Sequence, residues 1–341
     1  MKMTPRGEPK LVEIAEGVRA YLQQGGWGYS NAGLVAGKGG SLLVDTLYDL
    51  RLTQQMLDAM RRAEPAAARI DTLVNTHANG DHCWGNQLVA GAKIVSSRAT
   101  AEEMLELKPG LMRTLVESSK RLARMPGAAR NVLGVLGSVV PRLGPLSEAA
   151  ELVVEAFGSF EWRDVRLTLP TQTFEGQLTL HVGDRVVELI QVGPAHTKGD
   201  TLVWLPKERV MFTGDILFIG AHPIVWEGPI RNWIAACDRL LALDARVIVP
   251  GHGPLTDHEG VRATKAYWEK ILDAAAKGRA AGASTEDVAR ELHREWSTSA
   301  SPWTEAHRLA VNVDTAYRDL SGNRKAADPL KLFASMARMP S

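Results

Sequence analysis

Cysteine is scarce in this chain: Cys83 and Cys237 are the only two in 341 residues. Two cysteines cannot supply a disulfide framework, so the reducing cytoplasm is the expected compartment. No C-x-x-C pair occurs, which excludes a zinc ribbon or a redox dithiol. A G-x-x-x-x-G-K-[ST] phosphate loop and a G-x-S-x-G elbow are also missing. Surplus charge is lacking too, because 40 Lys and Arg face 39 Asp and Glu for a net charge of +1. A general nucleic-acid binder would be strongly basic, so none is expected as a partner. The longest apolar run, residues 132–140, is broken by Gly134, Gly137 and Ser138 and stops at Pro141 and Arg142. It is too short to span a bilayer. Residues 1–10 hold no apolar segment of the secretory kind, so a cytoplasmic location is expected and antibiotic resistance is disfavoured as the main role.

What is present is a globular composition, 45% hydrophobic and 23% charged, able to bury a sizeable core. The length suits one large domain or two, at about 150 residues each. Residues 11–14 and 18–22 read as strands. Residues 23–30 read as a hairpin tip, with Gly25, Gly26 and Gly28 around Trp27 and Tyr29. Residues 31–36 and 41–44 make the next strand pair. Met56, Leu57 and Met60 fall on one face of a helix over 53–63. Residues 70–74 form a buried strand. Strands return at 167–169, 177–182, 186–192, 201–205, 210–213 and 247–249, with a helix over 230–243. Residues 99–156 form a less regular helical insertion, and residues 259–321 are mostly helical. The pattern describes two sheets with outer helices.

The chemistry concentrates in His77-Ala78-Asn79-Gly80-Asp81-His82, after the strand ending at residue 74 and before a short helix around 84–89. Two imidazoles and a carboxylate in six residues are the nitrogen and oxygen donors that zinc favours. Alternate residues of an extended loop share a side, so His77, Asn79 and Asp81 are expected to face one point and His82 a neighbouring one. Three further candidates follow strands through glycine-containing turns: His196, Asp215 in Thr213-Gly214-Asp215, and His252 in Pro250-Gly251-His252. Glycine permits the close backbone approach that a preorganised strand-end site requires.

These motifs, in this order, resemble the metallo-β-lactamase superfamily, a four-layer αββα sandwich of metal-dependent hydrolases. The resemblance spans residues 11–254. It implies an α+β fold, with residues 1–258 as the sandwich domain, the insertion at 99–156, and residues 259–341 as a C-terminal helical extension. It implies one metal site of His77, position 79 and His196, and a second of Asp81, His82 and His252, with Asp215 bridging and Asp45 supporting the ligand loops. The chain departs from the family at Asn79, where the family usually has His. An amide oxygen is a poorer zinc ligand and better suits harder cations. The second site is therefore expected to fill first, with one or two Zn2+ in total and the Asn79 site weak, empty or holding Mn or Fe. Asn79 has a second reading, as a side chain bonded to its own loop backbone.

The implied activity is hydrolysis of an ester, thioester, lactone or amide of a small molecule by a metal-activated hydroxide. Asp81 would orient the water as well as bind metal. The alternative is an iron- or manganese-dependent cyclase, lyase or oxygen-using enzyme, although the acidic residue that iron-binding relatives often carry at position 79 is missing. A non-catalytic binding module is a third reading. Trp27 and Tyr29 on the hairpin are expected to close over the metal cleft, with Phe218, Trp226 and Trp233 as the facing wall; packing within the protein is the competing role for Trp27 and Trp233. His222 reads either as a pocket residue that lines the cleft or donates a proton, or as a plain surface-loop histidine. Cys83 reads as a small buried residue. His181, His258, His293 and His307 read as background. Residues 111–142 hold six basic residues and one acidic, a local charge of +5. That charge fits a solvated face, or a lid attracting an acidic group such as coenzyme A or a carrier phosphate. The partner expected is a small molecule, with a homodimer contact as one role for the helical tail.

Overall fold

The computed structural model describes residues 4–126, 143–298, 303–323 and 327–340. The first sheet runs β1 (Gly7–Ala15), β2 (Val18–Gln24), β3 (Ala32–Gly37), β4 (Gly40–Val44), β5 (Thr72–Val74), β6 (Lys93–Ser97) and β7 (Gln172–Phe174), in chain order. It is antiparallel up to β4 and parallel from β4 to β7. The second sheet has the order β12 (Val247–Val249), β11 (Val210–Phe212), β10 (Thr201–Leu205), β9 (Arg185–Gln191), β8 (Gln177–Val182). Only β11 and β12 pair in parallel there.

Period-two alternation divides each strand between two cores. Val35, Leu42, Val44, Val74 and Val95 of the first sheet meet Leu189, Val203, Leu205, Phe212 and Val249 of the second in one buried cluster. Leu34, Leu43, Leu73 and Ile94 point the other way, as do Ile190, Leu202, Met211 and Ile248, into a cluster shared with the helices. Helix α1 (Leu50–Ala63) contributes Met56, Leu57 and Met60 to it. Later come α2 (Gly80–Cys83), α3 (Arg98–Glu103), α4 (Pro109–Ala123), α5 (Leu143–Phe157), α6 (Ile230–Leu241), α7 (His258–Ala280), α8 (Thr285–Ser297), α9 (Leu309–Leu320) and α10 (Pro329–Ala337). The sandwich expected from the sequence, with its helical insertion and C-terminal helices, is therefore present. Among the described residues no helix is long and apolar enough to cross a membrane.

Three local expectations change. The helix expected at 53–63 begins at Leu50, because the Asp49 carboxylate accepts the Leu52 N–H at 2.8 Å and caps it. Residues 167–169 are not a strand, and β7 at Gln172–Phe174 pairs with β6 instead. The short helix expected around 84–89 is a single turn over Asn86–Val89, but a separate helical turn, Gly80–Cys83, precedes it, so Asp81 and His82 sit on a helical turn rather than an extended loop. Residues 127–142, with Arg130 and Arg142 of the basic segment, lie outside the described residues.

Candidate metal centre

Each ligand candidate follows a strand or helix start that the two sheets hold against each other. The Thr201 N–H donates to the Thr76 carbonyl at 2.9 Å, joining the sheets beside His77. The Gly251 N–H donates to the Gly214 carbonyl at 2.8 Å, which sets the turn of His252 against that of Asp215. The Asn31 N–H donates to the Gly251 carbonyl at 2.7 Å, and the Asn31 amide donates to the Pro250 and Gly253 carbonyls, both at 2.9 Å. The foot of the β2–β3 hairpin is thereby fixed to the His252 turn.

The side chains converge as a buried group. Asp215 Oδ2 lies 3.3 Å from both His196 Nε2 and His252 Nε2, and 3.8 Å from His77 Nε2. Asp215 Oδ1 is 3.1 Å from His82 Nε2. Asp81 Oδ2 is 3.4 Å from His252 Nε2. Two sets could each hold a cation: His77, His82 and Asp215, and Asp81, His82 and His252. The second set matches the expected second site. In the first, His82 joins His77, so His82 is central to both clusters rather than turned aside as the extended-loop picture had it.

The far nitrogen of every imidazole is already engaged. His82 Nδ1 lies 2.9 Å from Asp45 Oδ2, His196 Nδ1 2.7 Å from the Ile224 carbonyl, and His252 Nδ1 3.0 Å from the Tyr29 carbonyl. Those oxygens only accept, so each Nδ1 carries the proton. Thr76 Oγ1 donates to Asp45 Oδ2 at 2.7 Å, which leaves it to accept from His77 Nδ1 at 3.0 Å. All four Nε2 atoms therefore point into the cluster, the orientation that metal-binding histidines adopt. His77 Nε2, His82 Nε2 and Asp215 Oδ1 are buried and make no hydrogen bond, even though the last two are close together. Orphaned inward-facing donor atoms of this kind fit a metal ion.

Asp45, with φ 61°, is held in the left-handed region, and its carboxylate also accepts the Thr76 N–H at 2.7 Å. It thus supports both His77 and His82, as the resemblance implied. The cluster is strongly polarised. Burial opposes charge on His252, yet Asp215 and Asp81 push its pKa up to about 9. Burial likewise opposes charge on His82, but the Asp215 and Asp45 carboxylates hold its pKa well above the ordinary range. Burial and the neighbouring charge of His82 hold His77 well below it.

Asn79 does not bond its own loop backbone. It occupies the N-cap position of α2 without a capping hydrogen bond, and its Nδ2 lies 3.0 Å from His196 Nε2. Since His196 Nδ1 carries the proton, the Asn79 amide donates to the lone pair that the first site implied by the resemblance would use.

The residues expected to line the cleft part company. Phe218 stacks on His252, ring centroids 4.9 Å apart and planes 4° from parallel. Trp27 is not an open hairpin tip. It is buried among Phe157, Trp226 and Phe333, and its Nε1–H donates to His307 Nε2 at 3.0 Å. Trp226 is half-buried and also meets Phe333. Tyr29 packs on Phe160. His222 is buried against Tyr267, Trp296 and Trp303 rather than beside the ligand cluster. Cys83 is buried and free, as expected. Sequence reasoning missed Arg308, whose buried guanidinium lies 4.4 Å from the Trp27 ring centroid and 5.4 Å from that of Phe218. It also set aside His307; neither residue belongs to a motif, and only the folded tail brings them here.

The family model of the metallo-beta-lactamase superfamily matches residues 25–252. The chain belongs to that superfamily. The alpha subunit of 2,4-dinitroanisole O-demethylase from Nocardioides sp. (strain JS1661) is 31% identical over 121 residues, 35% of this chain and 37% of that protein. The metallo-beta-lactamase type 2 of Bacteroides fragilis is 24% identical over 150 residues, 42% of this chain and 58% of that one. The chain thus spans less than two thirds of the length of these curated relatives. Among solved structures, a metallo-beta-lactamase from Pontibacter korlensis aligns with a TM-score of 0.51 at 18% identity, over 77% of this chain and 99% of that chain. The DIM-1 metallo-beta-lactamase aligns with a TM-score of 0.52 at 18% identity, over 78% and 99%. These structural likenesses show the sandwich fold alone.

Proposed function

We propose that this superfamily member is a metal-dependent hydrolase of an ester, thioester, lactone or amide bond in a small, partly apolar molecule. The observation that carries this reading is the convergence of four Nε2 atoms and two carboxylates in one buried cluster. His77, His82, His196, Asp81, Asp215 and His252 would hold the metal, with zinc favoured by the donor set. When bound, such a metal makes water acidic enough to ionise near neutral pH and polarises a carbonyl. Asp81 and His252, the ligands retaining most exposure at 9% and 7%, mark the open side of the cluster. Asp81 orients the attacking water there through its carboxylate and takes up the proton as the water oxygen bonds to the carbonyl carbon. That proton then passes to the leaving oxygen, sulfur or nitrogen as its bond to carbon breaks. Phe218 and Trp226 supply apolar surface beside the ligands. A coenzyme A or carrier thioester is one substrate arm of this proposal.

A second reading, cleavage of an aromatic ether, is favoured by the match to the O-demethylase subunit together with the aromatic surroundings of Trp27, Trp226 and Phe333. One panel separates the two. Metal-loaded protein is assayed on a 4-nitrophenyl ester, an acyl-coenzyme A, an acyl-homoserine lactone, a chromogenic β-lactam and 2,4-dinitroanisole, each with and without a chelator. Chelator-sensitive turnover of any of the first four is expected, reduced by a factor of about 100 or more in Asp81→Asn. Turnover of the ether alone would favour the second reading, and no chelator-sensitive turnover on any arm would overturn both.

A further inference from the structure

A cavity of about 250 Å³ lies between α7, the end of α8 and the loop after Asp215. Its walls include His222, Ala266, Tyr267, Lys270, Trp296 and Trp303, and none of the metal-ligand candidates. A dry cavity of roughly 150 Å³ accommodates benzene, so a substituted ring fits here. The walls are mostly ring faces. Tyr267 stacks on Trp296 at 4.9 Å and 15°, and on Trp303 at 5.4 Å and 24°, so three rings lie nearly parallel. His222 stands edge-on to Tyr267 at 69°.

The polar content of the cavity follows from a chain of hydrogen bonds. The Asn312 Oδ1 accepts the Val225 N–H at 3.1 Å, which fixes the amide orientation. Its Nδ2 then donates to the Pro223 carbonyl and to the Tyr267 hydroxyl oxygen, both at 2.8 Å. Having accepted there, the Tyr267 hydroxyl has its own proton to give, and His222 Nδ1 stands 3.3 Å away. The imidazole is neutral, since burial, aided by the Arg308 charge, brings its pKa down to about 3. With Nδ1 accepting, the one ring proton sits on Nε2, which meets no acceptor among the described residues. Two backbone bonds hold the ring in place: the His222 N–H donates to the Thr304 carbonyl at 2.9 Å, and Arg308 Nη1 donates to the His222 carbonyl at 2.8 Å. Lys270, 5.3 Å from the Trp296 ring centroid, is paired with Glu295, so the cavity carries no uncompensated charge.

We propose that this cavity is a ligand site separate from the metal cluster, and that it takes an uncharged planar aromatic molecule bearing one hydrogen-bond acceptor. The ring adds to the stack of Tyr267 and the two tryptophans, and the acceptor meets the His222 Nε2–H. Acetophenone is the probe, with ethylbenzene (ring without acceptor) and cyclohexyl methyl ketone (acceptor without aromatic ring) as controls. Each is titrated into the full-length protein while the indole N–H resonances of Trp296 and Trp303 and the imidazole resonances of His222 are followed. Acetophenone is expected to shift all three saturably. Ala266→Leu, at an exposed helix position that leaves the fold intact, is expected to weaken it at least about tenfold by filling the space. His222→Phe is expected to weaken acetophenone by about tenfold while leaving ethylbenzene unchanged. Equal binding of cyclohexyl methyl ketone, indifference to Ala266→Leu, or the absence of a saturable shift would each overturn the proposal.

Discussion

Asn79 shows how one atom can set the balance between two sites. Its Nδ2 donates to His196 Nε2 at 3.0 Å, so a metal held by His77 and His196, as the resemblance implies, would have to turn the amide or break that bond. The second cluster, Asp81, His82 and His252, has no such competitor and keeps an anionic ligand of its own. Asn79→His replaces a hydrogen-bond donor with a nitrogen lone pair of the type zinc prefers. Metal titration by calorimetry is expected to show the weaker equivalent tightening by about tenfold or more, roughly 1.4 kcal/mol. An unchanged isotherm would place Asn79 outside the metal shell. At this scale the sequence was informative about identity and silent about direction. His77, Asp81, His82, His196, Asp215 and His252 were all legible from motif order. That His82 belongs to both clusters was not, because the helical start at Gly80 turns its ring inward.

Strand ends and their turns do the positioning. A Cβ on Gly251 would stand 2.0 Å from Asp215 Oδ1 and 2.7 Å from the Gly214 carbonyl carbon, so only glycine lets the β12 turn lie against the β11 turn. Gly251→Ala is expected to cost about 1–3 kcal/mol of stability through overpacking. It should also weaken metal binding, because the clash falls on the carboxylate nearest all four imidazoles; thermal melts with and without zinc would read both effects. A variant that melts and binds zinc like the parent would show that the turn has room to spare. Sheet strands with valines and leucines on alternating faces were legible because both faces are buried. The three-residue β7 was not, since Phe174 is its only buried residue. His222 was read as part of the metal cleft because it is near Asp215 in sequence, but the loop carries it to α7 and α8 instead.

Over the whole molecule, the tail returns to the metal side of the sandwich. Phe333 of α10 packs against both Trp27 and Trp226, with centroids 5.7 and 6.2 Å away. Arg338, just beyond α10, pairs with Glu148 of α5 and Glu286 of α8. The apolar contact should dominate. Phe333→Ala is expected to lower stability by about 3–5 kcal/mol if the site cannot collapse. Arg338→Ala should cost about 1 kcal/mol or less, since exposed ion pairs contribute little. Denaturant unfolding of both variants checks the ranking, and the reverse order would mean that charge docks the tail. Nothing in the sequence placed Phe333 beside Trp27, because they are 306 positions apart and share no motif.

The packing of Trp27, Phe333 and Trp226 also has a consequence in time. His77, His82 and His196 are no more than 1% exposed, and Arg308 lies over both Trp27 of this group and Phe218, the ring stacked on His252. A molecule that reached the ligands past Trp27 would require those rings, and the helix that carries Phe333, to separate. Motions of that size belong to the microsecond-to-millisecond range. Turnover by that route would then have a ceiling set by how often the tail lifts, whatever the speed of the bond cleavage in the proposed reaction.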